Sequence, residues 1–265
     1  MATQHLSLPD GTIAYELIGP SDGPLVVCVP GIGVNRADFR YLAPALADAG
    51  NRVAVKDIRG HGDSSADWPH YHPTAVGHDI AALIGHLGGP AVIVGHSFAA
   101  KSAGQVAVRE PELVRGLVLV GAAVRHDKPG FVMGLATKLV TSNAWLWTMF
   151  LKSLYPGTKP ADFAEYLADN KAKLRRKGHL AALSALTGSL PADPALELSG
   201  IAAPTLVVMG TNDGDLADPA AEARRIADEV SGPSRVTMSD GSGHYPHTDN
   251  PEFTAHAILT FLKEL

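Results

Sequence analysis

Hydrophobic and polar positions alternate with period two over residues 3–8 and 12–18, on either side of Pro9, Asp10 and Gly11, a turn-forming trio. That pattern predicts a β-hairpin. Residues 25–29, Leu-Val-Val-Cys-Val, form a continuous apolar run instead, as a strand buried on both faces would. Residues 38–49 then read as a helix ended by Gly50 and Asn51, and 52–56 as a strand. Over 73–87 the period lengthens, and Val76, Ile80, Leu83, Ile84 and Leu87 fall on one helical stripe. A strand at 91–94, a helix at 97–109 and a strand at 113–120 follow. Strand–helix alternation of this kind predicts right-handed crossovers and a parallel sheet.

The alternation breaks between 123 and 196, where the chain offers helical segments near 130–141, 143–154, 160–176 and 179–188 but no convincing strand. It resumes with a strand at 205–209, a helix at 217–230, a strand at 235–238 and a helix at 251–265. The expected organisation is an α/β core of residues 1–122 and 197–265, interrupted by a helical insertion, 123–196, after the sixth strand.

Composition narrows the classes. A net charge of −5 and a pI near 6.2 give no general reason to bind nucleic acid or an anionic membrane. The 12 histidines show no Cys/His metal spacing, and Cys28, the only cysteine, is expected to be a small buried hydrophobe. The first residues lack the basic-then-apolar order of a signal peptide, and no apolar run approaches the ~18 residues of a membrane helix. We read a soluble, cytoplasmic protein.

Gly95-His96-Ser97-Phe98-Ala99 stands where a strand passes into a helix. Ser97 there is either a helix N-cap or a hydroxyl held up for chemistry. The context is that of a nucleophile elbow, a turn so sharp that its neighbours two residues away must be small. Gly95 meets this before the serine, and Ala99 stands where the usual pattern has glycine. Two further candidates fall at ends of predicted strands, where open α/β sheets carry their sites. Asp213 lies three residues past Gly210, and His244 in the glycine-loosened loop before the last helix. Asp215 competes with Asp213, and His247 and His256 with His244. Pro246 stiffens the chain at His247 and His256 falls mid-helix, which favours His244, while the order Ser, Asp, His is kept by either aspartate.

These pieces resemble the α/β-hydrolase superfamily, in its capped, serine-esterase-like branch. The resemblance runs along essentially the whole chain. It includes residues 29–33 (Val-Pro-Gly-Ile-Gly), residues 57–64 (Asp-Ile-Arg-Gly-His-Gly-Asp-Ser) and residues 243–252. It implies an eight-stranded, mostly parallel, doubly wound sheet with the insertion as a lid. It also implies a serine hydrolase working through an acyl-enzyme on a small carboxylic ester with an apolar acyl or aryl group. Ser97 would be the nucleophile, His244 its base, and Asp213 the acid that orients His244. The backbone N–H groups of Ile32 and Phe98 would form the oxyanion hole. Pro30-Gly31 stands where such proteins usually carry His-Gly.

The remaining candidates have plainer readings. His61, Asp57 and Arg59 are expected to brace a loop, and the basic cluster from Lys171 to Lys177 to be a solvated helix face. The middle of the insertion is rich in large apolar groups. Most should pack the lid, with Met133 and Trp147 lining a substrate pocket. No metal or cofactor is expected, and the partner is a small molecule, for a monomer or homodimer. C–C bond hydrolysis, lactonase, amidase, perhydrolase or acyl-transfer activity, or a ligand receptor with vestigial turnover, remain alternatives.

Overall fold

The computed structural model describes residues 2–122, 124–125, 130–157 and 159–265. Eight strands form one sheet: β1 (Gln4–Leu8), β2 (Gly11–Ile18), β3 (Leu25–Val29), β4 (Arg52–Lys56), β5 (Ala91–His96), β6 (Val114–Val120), β7 (Thr205–Gly210) and β8 (Ser234–Ser239). Their order is β1-β2-β4-β3-β5-β6-β7-β8. Only β2 runs against the rest, pairing antiparallel with both β1 and β4.

Alternate residues of the central strands enter two apolar layers. In β3, Leu25, Val27 and Val29 join one layer, and Val26 and Cys28 the other. The first layer is covered by α2 (Pro73–Leu87), α3 (Phe98–Arg109) and α8 (Pro219–Glu229), and the second by α1 (Leu42–Asp48) and α10 (Pro251–Leu262). Every residue of β3, β5 and β7 is buried, which explains their unbroken apolar runs. Cys28 sits inside, where burial pushes its thiol pKa up.

Between β6 and β7 come four helices: α4 (Phe131–Thr141), α5 (Ala144–Ser153), α6 (Phe163–Leu174) and α7 (His179–Ser189). A buried polar knot ties the end of this insertion to the core. Asp193 accepts from Thr74 Oγ1 (3.0 Å) and Gln105 Nε2 (3.0 Å), and pairs with Lys101 Nζ (3.1 Å).

Two predicted helices differ in outline. The 38–49 segment is split into a 3₁₀ turn, Arg36–Phe39, capped by the Asn35 side chain, and α1. The last helix is preceded by a separate turn, α9 (Pro246–Asp249), because Pro251 cannot donate a backbone hydrogen bond and restarts the helix. Among the described residues no helix is long and apolar enough to cross a membrane.

Candidate active site

Ser97 joins β5 to α3 with φ 56° and ψ −126°. It is the only non-glycine residue with positive φ among the described residues. Backbone held in such a sparsely populated region costs roughly 1–3 kcal/mol. Its N–H donates to Val120 O (2.9 Å) and its carbonyl accepts from Ala100 N (3.0 Å), which pins the turn to β6 and to the first turn of α3. Ser97 occupies the N-cap position, yet its side chain makes no capping hydrogen bond. The hydroxyl is therefore not used to finish the helix. The turn requires glycine before the serine, since a Cβ on Gly95 would lie 2.7 Å from the Ala99 carbonyl. The methyl of Ala99 on the far side is accommodated in the apolar layer.

His244 and Asp213 meet in the loops beyond β8 and β7. His244 Nδ1 lies 2.8 Å from Asp213 Oδ2 and 3.0 Å from Oδ1, with both residues buried. Asp215 is exposed, and its backbone N–H donates to Asp213 Oδ1 (3.0 Å), steadying the carboxylate. Burial opposes protonation of His244, but the hydrogen bond and negative charge of Asp213 outweigh it and hold its pKa above the ordinary value. The His244 N–H donates to Leu154 O (3.2 Å), so the loop leans on the chain just after α5.

Ser97, Phe98 and Ile32 line a cavity of about 350 Å³ with Met133, Trp147 and Asp215. It continues, through shared residues including Met133 and Asp215, into a wider space of about 890 Å³. Met133 and Trp147 border the cavity. Phe98 begins α3, so its N–H has no intrahelical acceptor. Among the described residues the Ile32 N–H has no backbone acceptor either. The Ile32 loop is held from the insertion: Trp147 Nε1 and Asn170 Nδ2 both donate to Gly33 O, at 2.9 and 2.8 Å. Trp147 is therefore a brace as well as a wall. The other expectation for this region is corrected, because Phe131, Leu135, Trp145 and Met149 do not pack inside the insertion but stand exposed.

Sequence reasoning missed the support beneath the loop. Asp38, His96 and His247 are fully buried together. His247 Nε2 donates to Asp38 Oδ2 (3.0 Å), and Tyr166 Oη donates to Asp38 Oδ1 (3.3 Å). His96 Nε2 lies 2.9 Å from the His244 carbonyl, an acceptor, so this nitrogen carries the hydrogen. His96 Nδ1 is 3.3 Å from Asp38 Oδ2 but unbonded, consistent with a neutral ring whose pKa burial lowers to about 4. Burial opposes ionisation of Asp38, but His247 overcomes it and holds the carboxyl well below the usual range. A Cβ on Gly31 would lie 2.8 Å from His96 Nδ1, so the ring packs directly against the Pro30-Gly31 turn. The three side chains are also close enough together to share a cation. Their hydrogen bonds already account for His247 Nε2, His96 Nε2 and both Asp38 oxygens. Only His96 carried a signal in the sequence, as a polar residue ending an apolar run; Asp38 and His247 lie among polar neighbours that give none.

Other candidates fall outside the site. His256 is exposed. His61 is buried with Nδ1 at 3.0 Å from Arg59 O, and burial lowers its pKa to about 4. Arg59 pairs with Asp79 (2.7 Å), and Asp57 accepts from the Arg36 and Asp63 N–H groups (2.7 and 2.9 Å), so both brace their loop. In the basic cluster, Lys173 pairs with Asp169 and Arg176 with Asp63.

A family model described as "Alpha/beta hydrolase family" matches residues 26–257, and the chain belongs to that family. It is similar to the 2-(acetamidomethylene)succinate hydrolase of Mesorhizobium japonicum, with 28% identity over 95% of this chain and 92% of the relative. It is also similar to the sn-1-specific diacylglycerol lipase ABHD11 of Mus musculus, with 27% identity over 94% and 85%. Among solved structures, a thermophilic esterase from Thermogutta terrifontis superposes with a TM-score of 0.82, 22% identity, and 100% and 99% coverage. At that identity the likeness is one of fold.

Proposed function

We propose that the protein is a serine hydrolase of small carboxylic esters with an apolar acyl or aryl group. The observation that carries this reading is the strained, uncapped Ser97 at an apolar cavity, with a buried His244–Asp213 pair in the loops after β8 and β7. In this reading His244 takes the Ser97 proton as Oγ attacks the ester carbonyl, and returns it to the leaving alcohol. Asp213 holds the Nδ1–H tautomer and stabilises the imidazolium. The Ile32 and Phe98 N–H groups receive the oxyanion, helped by the positive end of α3. Water, activated by His244, then releases the acid from Ser97. Helices α4 to α7 act as a cap that shapes the acyl pocket. The hydrolase and lipase names of the relatives agree with the reaction class without choosing the bond cleaved.

The test is a serine-directed phosphonate followed by peptide mapping, beside the rate of Ser97→Ala on an activated ester. We expect one label, on Ser97, and a loss on the order of 10⁶ in kcat. A variant retaining more than a few per cent of wild-type activity would assign the attack to another group.

A further inference from the structure

Six large apolar side chains on α4 and α5 border neither cavity: Phe131, Val132, Leu135, Leu139, Trp145 and Met149 are 47–89% exposed. Their spacing makes stripes. Phe131, Leu135 and Leu139 recur every four residues on α4, as do Trp145 and Met149 on α5. Exposed Lys138 and Lys152 lie three residues past Leu135 and Met149, Lys138 at the edge of the stripe where it also borders the wider cavity. An exposed apolar surface on this scale marks a contact with something else.

Charge identifies the occupant. Residues 130–161 contain no aspartate or glutamate and three lysines, Lys138, Lys152 and Lys159, in a chain of net charge −5. The whole-chain charge, which argued against an anionic surface, is thus reversed locally. A second copy meeting this face about a two-fold axis would bring lysine-bearing stripes together with no carboxylate from the same segment to answer them. Exposed aromatic and aliphatic groups flanked by lysines without acids are the chemistry of a helix lying in a lipid interface. There the apolar groups enter the acyl boundary, and the lysines extend to the phosphates.

We propose that the outer face of α4–α5 docks on the headgroup layer of an anionic phospholipid bilayer. Two residues connect that face to the cavity: Met133 and Phe150 are themselves 63% and 38% exposed and also line the space around Ser97. The mouth therefore opens beside the docking face. A molecule dissolved in the bilayer would reach Ser97 with little passage through water. That consequence for substrates rests on the serine-hydrolase reading, whereas the docking does not.

The experiment is flotation of the full chain with phosphatidylcholine vesicles, with and without about one-third phosphatidylglycerol. Analytical ultracentrifugation without lipid is run in parallel. We expect binding to the anionic vesicles that weakens as salt is raised. Lys138→Gln with Lys152→Gln should reduce partitioning by about 25-fold, roughly fivefold per lysine. Leu139→Asp with Trp145→Asp should reduce it at least about a hundredfold, given the apolar area lost to the interface. Circular dichroism should stay at wild-type values for both pairs, and hydrolysis of a short water-soluble ester should do so for Leu139→Asp with Trp145→Asp, whose side chains border neither cavity. Failure of the wild type to float, or equal flotation of all variants, overturns the proposal. So does a lipid-independent dimer that the Leu139→Asp, Trp145→Asp pair converts to monomer, which would assign the face to a second copy. Because flotation needs no turnover, it is read even if Ser97 proves not to be the nucleophile.

Discussion

The β5–α3 turn and the α4–α5 helix pair border the same cavity. From Ala91 to Ala107 every residue of the turn and its flanking strand and helix is buried. Along α4, Thr141 alone is buried, although the helix is at least as apolar. The difference teaches that apolar composition becomes burial only where a second layer exists to meet it. β5 is sandwiched between helices on both faces, whereas α4 contacts the rest of the insertion on one side. In the proposed function the contrast would serve two tasks, since positioning a nucleophile demands a rigid scaffold and admitting apolar ligands an adaptable wall.

If the chemistry belongs to the buried side, its substitutions should be the most damaging. After Ser97→Ala, the largest effect is expected from Asp213→Asn, which leaves His244 with the wrong tautomer and lowers kcat by roughly 10⁴. Asp215→Asn in the same loop should change kcat by less than about tenfold. Steady-state rates of both variants on one ester decide this, and the reverse ranking would move the acid to Asp215.

On the exposed side the expected effect is selective rather than general. Met133→Ala should alter the ratio of kcat/KM between long and short acyl esters by about 10–200-fold. Equal scaling of all substrates would mean that Met133 does not contact the acyl group. Trp147 is the poorer probe, because its indole also holds Gly33 O.

Stability should separate the two regions further. Gly95→Ala forces a Cβ against the Ala99 carbonyl and should cost about 1–3 kcal/mol in denaturant unfolding. Asp38→Asn, removing a charged acceptor of His247 and Tyr166, should cost on the order of 3 kcal/mol. Leu139→Asp on the exposed stripe should change stability by less than about 0.5 kcal/mol.

The smallest effects are those of pH. In the proposed mechanism His244 must be neutral to accept the Ser97 proton, so the acid limb of kcat/KM should have its midpoint above the ordinary histidine value of about 6.5. Folding strengthens proton binding at His244. Its contribution to stability is therefore fully present below about pH 6.5 and fades as pH rises through the folded pKa. His96 has the opposite sign. The unfolded chain binds a proton near 6.5 that the folded ring refuses until about pH 4, so stability falls through that window. Unfolding free energies of His244→Asn and the wild type across this range would resolve the two contributions.

The order of strands and helices was legible in the chain because its signals are local. Period two in 12–18, the all-apolar run 25–29 and the helical stripe from Val76 to Leu87 each reflect neighbours a few residues away. Gly95, Ser97 and Ala99 betray the turn for the same reason: its sterics are set within five consecutive positions. The pairing of Asp213 with His244 could be expected from strand ends, but its choice over Asp215 depended on which way Gly214 turned the loop. Tertiary structure alone decided the support. Asp38 meets His247 across 209 positions, and Asn170 and Trp147 reach Gly33 across 137 and 114. It also decided which apolar groups of α4 and α5 found a partner. Such contacts leave no periodic trace, because they arise only where separate elements are brought together by the packing of the sheet and its helices.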